Sequence, residues 1–294
     1  MRNETGSDFI EALARGLDVI RAFEPNRPTM SLSEVATATG LARPTARRML
    51  LTLEELGYVR VAQGSFSLTP RVLELGMAYI GSTSIWDIAH PHMEQLVRQT
   101  GESSSLAQLD GSDIVYVVRV AVPKIITLAV TIGTRFPALQ TSLGKVLLAE
   151  LSSDEVTRIL AEPSRSGITP LWHPDLAERD RILCEVRTRG WTLTDEHLAR
   201  GIRSIATPVR DGNNRVVAAL NVSVHAAETS IETLTEQYLP LLLQTATAIS
   251  ADWARWQNRP ILTLDPKTTS ERNSRLSGEQ GQRKAATNES RELL

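Results

Sequence analysis

Three arginines, Arg43, Arg47 and Arg48, fall in one short run of the 294-residue chain, with Thr45 among them. A guanidinium is a planar fork that pairs bidentately with a guanine edge or grips a phosphate. A threonine hydroxyl can reach a base edge or the backbone of a duplex. Placed on a helix at 100° per residue, Ala46, Met49, Leu50, Leu53 and Leu56 form one apolar stripe, while Arg43, Thr45, Arg47 and Arg48 occupy the rest. One side then anchors the helix and the other offers cations, which is what reading a DNA major groove requires. An ordinary solvated face would give the same wheel, so the neighbouring elements must decide.

They decide by their order. Ile10, Leu13, Leu17, Ile20 and Phe23 recur at helical spacing and predict a helix that ends before Pro25, followed by a connector at Asn26-Arg27-Pro28. Ser31-Leu32-Ser33-Glu34 is a capping-box arrangement opening a short helix, and Gly40 sits where a left-handed residue must turn out of it. Pro44 stands in the first turn of the arginine helix, where its missing N–H costs little. Gly57 stops that helix. Tyr58–Val61 and Ser65–Leu68 then read as two strands around Ala62-Gln63-Gly64, with Gln63 at the tip able to touch a DNA backbone or minor groove. Three helices followed by a β-wing make a winged helix-turn-helix over residues 9–69. Net charge is −2, and residues 1–70 hold as many acidic as basic side chains, so any DNA contact rests on local arginines rather than a global field.

Residues 70–84 read as a linker helix through Val72, Leu73, Leu75, Met77 and Ile80. An effector domain over 85–257 follows. Its predicted parts are a helix from Trp86 to Thr100, a hairpin of Ser103–Leu109 and Ile114–Val120 around Asp110-Gly111-Ser112, and a strand near Thr127–Val130. Helices then start at Ser142, Ser153 and Leu176. Strands at Trp191–Asp195, Ile205–Val209 and Val216–Val224 precede a last helix, Ile231–Trp256. The fold class is α+β, with a mainly antiparallel sheet flanked by helices. Residues 258–294 are polar with little periodicity and read as a disordered tail. The single Cys184, the polar start and the lack of a long apolar run point to a cytoplasmic protein with no membrane partner.

Enzyme chemistry lacks its constellations. There is no Gly-x-Ser-x-Gly elbow, and Gly144-Lys145 has Leu139 and Val146 where a phosphate loop needs glycine and a hydroxyl. His90, His92, His173, His197 and His225 form no helix-spaced metal pair, so no metal or cofactor is expected. A hydrolase is the weakest reading. The other rival is a ligand-binding or interaction module whose helix-turn-helix serves only dimerisation. Exposure of Arg43, Arg47 and Arg48 argues for DNA, and their burial argues against it.

The chain resembles the IclR family of bacterial regulators. The resemblance is carried by Ala12–Ile20, Leu32–Ala36 with Thr39-Gly40-Leu41, Leu53–Val59 and Phe66–Pro70. It continues in Gly133–Pro137, Ser142–Lys145, Gly190-Trp191, Asp195-Glu196 with Gly201, Ile205–Val209 and Val217–Ser223. Pro44–Arg48, Ile85-Trp86-Asp87, Gly101–Ser105 and Val115-Tyr116-Val117 are similar to the group that controls the protocatechuate and β-ketoadipate pathway. The resemblance implies a GAF-like effector domain, a homodimer or tetramer, and a palindromic double-stranded operator. A small aromatic or dicarboxylic acid is the implied effector, and RNA polymerase a further partner open to such a regulator.

Carried over by position, the effector residues are Ser142, Leu143, Ser204, Asn221 and Ser223. Strand alternation supports the last pair on its own terms, because residues two apart share a face. Helix-start amides near Ser142 could hold a carboxylate. Arg135 and Arg203 could pair with one as well, or serve as structural ion-pair partners.

Overall fold

The computed structural model describes residues 8–24, 26–76, 85–123 and 130–258, and the chain divides into two compact units, residues 1–91 and 92–294. The first unit contains α1 (Glu11–Arg21), β1 (Thr29–Ser31), α2 (Leu32–Thr39), α3 (Arg43–Glu55), β2 (Val59–Ala62) and β3 (Ser65–Leu68). The capping box forms: the Glu34 N–H donates to the Ser31 hydroxyl, and the Ser31 N–H donates to the Glu34 carboxylate at 2.7 Å. Gly40 leaves α2 at φ 66°. Val19, Met30, Val35, Leu50, Leu53, Val59 and Phe66 make a shared core, so the stripe of α3 packs inward as its wheel predicts. Leu56 departs from that wheel. It caps α3 and stays 50% exposed.

The wing has a third strand, which the sequence pattern does not announce. Strand β1 pairs antiparallel with β3, Thr29 opposite Ser67 and Ser31 opposite Ser65, giving the order β1-β3-β2. Three residues are too few to show a period of two. Ser31 does both jobs because an N-cap already holds extended dihedrals, here φ −72° and ψ 164°. A two-residue turn joins β2 to β3, with both Gln63 (φ 50°) and Gly64 (φ 76°) in the left-handed region that a tight hairpin demands. Residues 70–72 form a 3-10 turn and 73–76 are helical. The rest of the predicted linker helix lies outside the described residues.

The second unit, with the start of the helix that leads into it, runs α4 (Ile85–Thr100), β4 (Ser103–Asp110), β5 (Asp113–Val120), β6 (Arg135–Pro137), α5 (Ser142–Leu148), α6 (Ser153–Leu160), α7 (Leu176–Arg189), β7 (Thr192–Asp195), β8 (Ile202–Arg210), β9 (Val216–His225) and α8 (Leu239–Gln257). Its six strands follow the order β6-β5-β4-β9-β8-β7, and every pair is antiparallel. Helix α5 lies against the sheet, burying Leu143, Val146 and Leu147 with Ala107, Ala206 and Ala219. By alternation Ile205, Leu220 and Val222 face the other way, where α8 packs across β8 and β9; both faces are therefore covered. The predicted strand near Thr127–Val130 falls mostly outside the described residues, as does the chain beyond 258.

Two departures from regularity matter. The last helix is not uniform: Thr233–Tyr238 is a π-helical stretch just ahead of Pro240. Proline has no N–H to donate, and its ring crowds the carbonyl four residues back, so the preceding turn widens. The second is a β-bulge. Ala107 faces Tyr116 and Leu106 faces Val118, leaving Val117 as an extra residue in β5.

Candidate functional site

Helix α3 presents Arg43, Arg47 and Arg48 to solvent, with Thr45 half-buried beside them and Gln63 exposed at the wing tip. None of the three guanidinium groups has a partner among the described residues. They are cations held by a rigid stripe and left open for an external acceptor. Arg71, which sequence reasoning passed over, braces the helix. Its Nη1 donates to the Leu56 carbonyl at 2.8 Å, and its guanidinium lies 5.4 Å from the centre of the Tyr58 ring.

In the second unit, Ser142, Leu143, Ser204, Asn221 and Ser223 line one cavity between the sheet and the start of α5, about 840 Å³ with its solvent-open mouth included. Register explains the meeting. Ser204 on β8 stands opposite Ser223 on β9 and opposite Thr194 on β7, so one cross-strand row carries three hydroxyls. The Ser142 hydroxyl bonds Ser204 at 2.7 Å, and Thr194 bonds Ser204 at 3.0 Å. Asn221 is committed in part to structure, because its Oδ1 accepts the Ser105 N–H at 3.0 Å. Tyr116 and Phe136 form an apolar wall, edge to face with ring centres 5.6 Å apart. Burial pushes the Tyr116 phenol up to about 12, which keeps it neutral at ordinary pH.

Arg119 joins this lining and was missed. Its Nη1 donates to the Ser105 hydroxyl at 2.9 Å, and burial lowers its pKa against an opposing pull from Tyr116. Strict alternation from Tyr116 would send residue 119 to the far face. The extra residue at Val117 brings both side chains to the same cavity, and no composition signal announces a bulge.

Of the two roles open to Arg135 and Arg203, the structure places both in ion pairs and neither in the cavity lining. Arg135 pairs with Asp110 at 2.6 Å and buried Asp113 at 3.3 Å, and does not line the cavity. Arg203 pairs with Asp195 at 2.7 Å and donates to the Ala226 and Thr229 carbonyls, also outside it. Both guanidinium groups are thus spent on structure. At the start of α5 the Gly144 N–H donates to the Thr141 hydroxyl at 2.9 Å.

Beneath α5 lies a second cluster. Lys145, 1% exposed, places Nζ 2.8 Å from His197 Nδ1 and 4.3 Å from the centre of the Trp172 ring, which stacks on His197. Burial holds Lys145 down to about 7, with Glu178 opposing. Burial also holds His197 down to about 4, the Lys145 charge adding to the effect and Asp195 resisting it. Each folded value lies below the ordinary 10.5 or 6.5, so the unfolded chain binds more protons in between. Stability therefore rises with pH, from about 4 to 6.5 through His197 and from about 7 to 10.5 through Lys145. Lys145→Met is expected to flatten the upper window, a change on the order of 2 kcal/mol in denaturant titrations at pH 7 and pH 10. An undiminished slope in the variant would show that another group drives it.

Among the described residues no cluster of three His, Cys, Asp or Glu side chains could hold a metal, and no helix is long and apolar enough to cross a membrane. Comparison with known proteins follows the same division of the chain. Residues 12–62 match the IclR helix-turn-helix domain, and residues 77–251 match the bacterial transcriptional regulator IclR C-terminal domain. The chain is 36% identical over 237 residues to the Pca regulon regulatory protein of Pseudomonas putida, covering 80% of this chain and 81% of that one. It is 33% identical over 244 residues to the p-hydroxybenzoate hydroxylase transcriptional activator of Acinetobacter baylyi, covering 81% and 90%. A crystal structure from Rhodococcus sp. RHA1 superposes with TM-score 0.72 at 46% identity, covering 84% of this chain and 99% of that one. A capped, arginine-bearing helix beside a β-wing and a six-stranded ligand-binding fold thus meet in one chain, which belongs to the IclR family of DNA-binding transcriptional regulators and not to an enzyme family.

Proposed function

We propose that this regulator controls aromatic-acid catabolism, taking up a small organic acid in its C-terminal cavity and reading a palindromic operator as a homodimer or tetramer. The observation that carries the reading is the cavity itself. The five carried-over positions converge on one concavity whose far wall is aromatic, and a few placed polar groups in apolar surroundings suit a small acid. Relatives named for the Pca regulon and for p-hydroxybenzoate hydroxylase support the pathway. A two-fold assembly offers two copies of α3 to half-sites about 34 Å apart, which is why the operator is expected to be palindromic. The acid shifts DNA affinity, or contact with RNA polymerase, only by its unequal affinity for two arrangements of the protein.

The test pairs a melting screen with a gel shift. Protocatechuate, 4-hydroxybenzoate and β-ketoadipate are added to the full chain, and binding is followed on DNA from its own promoter region. An effector at about 100 times its Kd adds about 2.7 kcal/mol, several degrees of Tm. The same acid is expected to change operator affinity at least about fivefold. Should no acid raise the Tm and none alter the shift, the cavity is not an effector site.

A further inference from the structure

We infer that Arg119 is the carboxylate anchor of this cavity and that its ligand is a one-ring aromatic monoacid, an inference that rests on the cavity being the effector site. Arg119 keeps one N–H on the Ser105 hydroxyl, but its Nε is buried with no hydrogen-bond partner among the described residues. A desolvated guanidinium donor is costly to leave unmet, and a cavity ligand with a carboxylate meets it with a charge-assisted bond. Neither Arg135 nor Arg203 competes for that carboxylate, since aspartates hold both away from the cavity.

Ligand shape follows from what stands around Arg119. The edge-to-face Tyr116 and Phe136 pair gives a ring an apolar wall to lie against. Ser204, with its partners Ser142 and Thr194, lies two strands across and two residues along from Ser105, about 12 Å at ordinary strand geometry. A ring carrying a hydroxyl opposite its carboxylate spans that gap with a hydrogen bond at each end. Arg119 is the only arginine or lysine among the described lining residues, so a second carboxylate finds no guanidinium or ammonium to meet it, which favours a monoacid over a linear dianion.

Calorimetric titration of the full chain with 4-hydroxybenzoate, its methyl ester and adipate separates these ideas, using wild type, Arg119→Met and Arg119→Lys. Wild type is expected to bind the acid at least about tenfold more tightly than the ester, and also more tightly than adipate. Arg119→Met erases the preference for acid over ester, and Arg119→Lys recovers part of it, because an ammonium restores the charge without the fork. Ligand-free melting curves report whether each variant folds, and the acid-to-ester ratio of wild type stands whatever they show. Equal binding of acid and ester by wild type, or an acid preference that survives in Arg119→Met, overturns the anchor and leaves the cavity as a ligand site. Tighter binding of adipate overturns the ring class. If wild type binds none of the three, this inference falls, and the effector reading stands or falls with the protocatechuate and β-ketoadipate screen above.

Discussion

Gly144→Ala is expected to destabilise the C-terminal unit severely rather than trim it. A Cβ at this position would lie 2.0 Å from the Ala138 carbonyl oxygen and 2.5 Å from the Ala138 carbonyl carbon and Cα. The obstacle is backbone, not a side-chain tip that can swing aside. It belongs to the 3-10 turn Ala138–Gln140, and the Ala138 oxygen also accepts the Thr141 N–H and the Thr141 hydroxyl, each at 3.1 Å. Every residue of α5 is buried, so the helix cannot back away without opening the core it shares with Ala107, Ala206 and Ala219. Overpacking of side chains typically costs about 1 to 3 kcal/mol, and a backbone clash belongs above it, at about 4 kcal/mol or more. A domain holds only about 5 to 15 kcal/mol in reserve. A melt followed by circular dichroism is expected to move down by about 10 °C or more, with loss of any ligand-induced shift. A wild-type melting curve would mean that α5 and the turn are not packed as described.

Removing Arg43, Arg47 and Arg48 together by alanine substitution is expected to abolish operator binding, a loss of at least about 3 kcal/mol or more than about a hundredfold. All three are exposed and none carries an internal ion pair among the described residues, so stability is expected to change by no more than about 0.5 kcal/mol per site. Arg47→Ala alone then sorts the contact by type. A loss of about 1 to 3 kcal/mol confined to operator DNA marks a base contact. An equal loss on random DNA, with a salt slope shallower by about 1, marks a phosphate contact. Fluorescence anisotropy at several salt concentrations reads both quantities. A triple variant that still binds operator at wild-type strength would remove α3 from the interface.

What could be read in advance was local chemistry. Ser31 with Glu34, and Gly40 at its positive φ, fix a helix through atoms three or four residues apart, so the string carries the signal complete. The same holds for Asp110-Gly111-Ser112, whose turn sets the register of β4 on β5. The cavity positions from Ser142 to Ser223 were legible only by likeness to a family, because nothing local says that residues 62 apart will share a hydrogen bond. The misplaced cations show why. Arg119, Arg135 and Arg203 are chemically the same group, and what separates them is whether an aspartate lies within reach across the sheet. That depends on register, and register in β5 depends on a residue that pairs with nothing.

The extra residue at Val117 gives β5 one residue of slack in its length. Excising it would leave Tyr116, Val118 and Arg119 opposite Ala107, Leu106 and Ser105 in plain alternation, so the guanidinium would stay on the cavity side. A gap of one at this point in an alignment of related chains would therefore leave the cation in place, whereas drawing Val117 into the ladder would turn it to the other face.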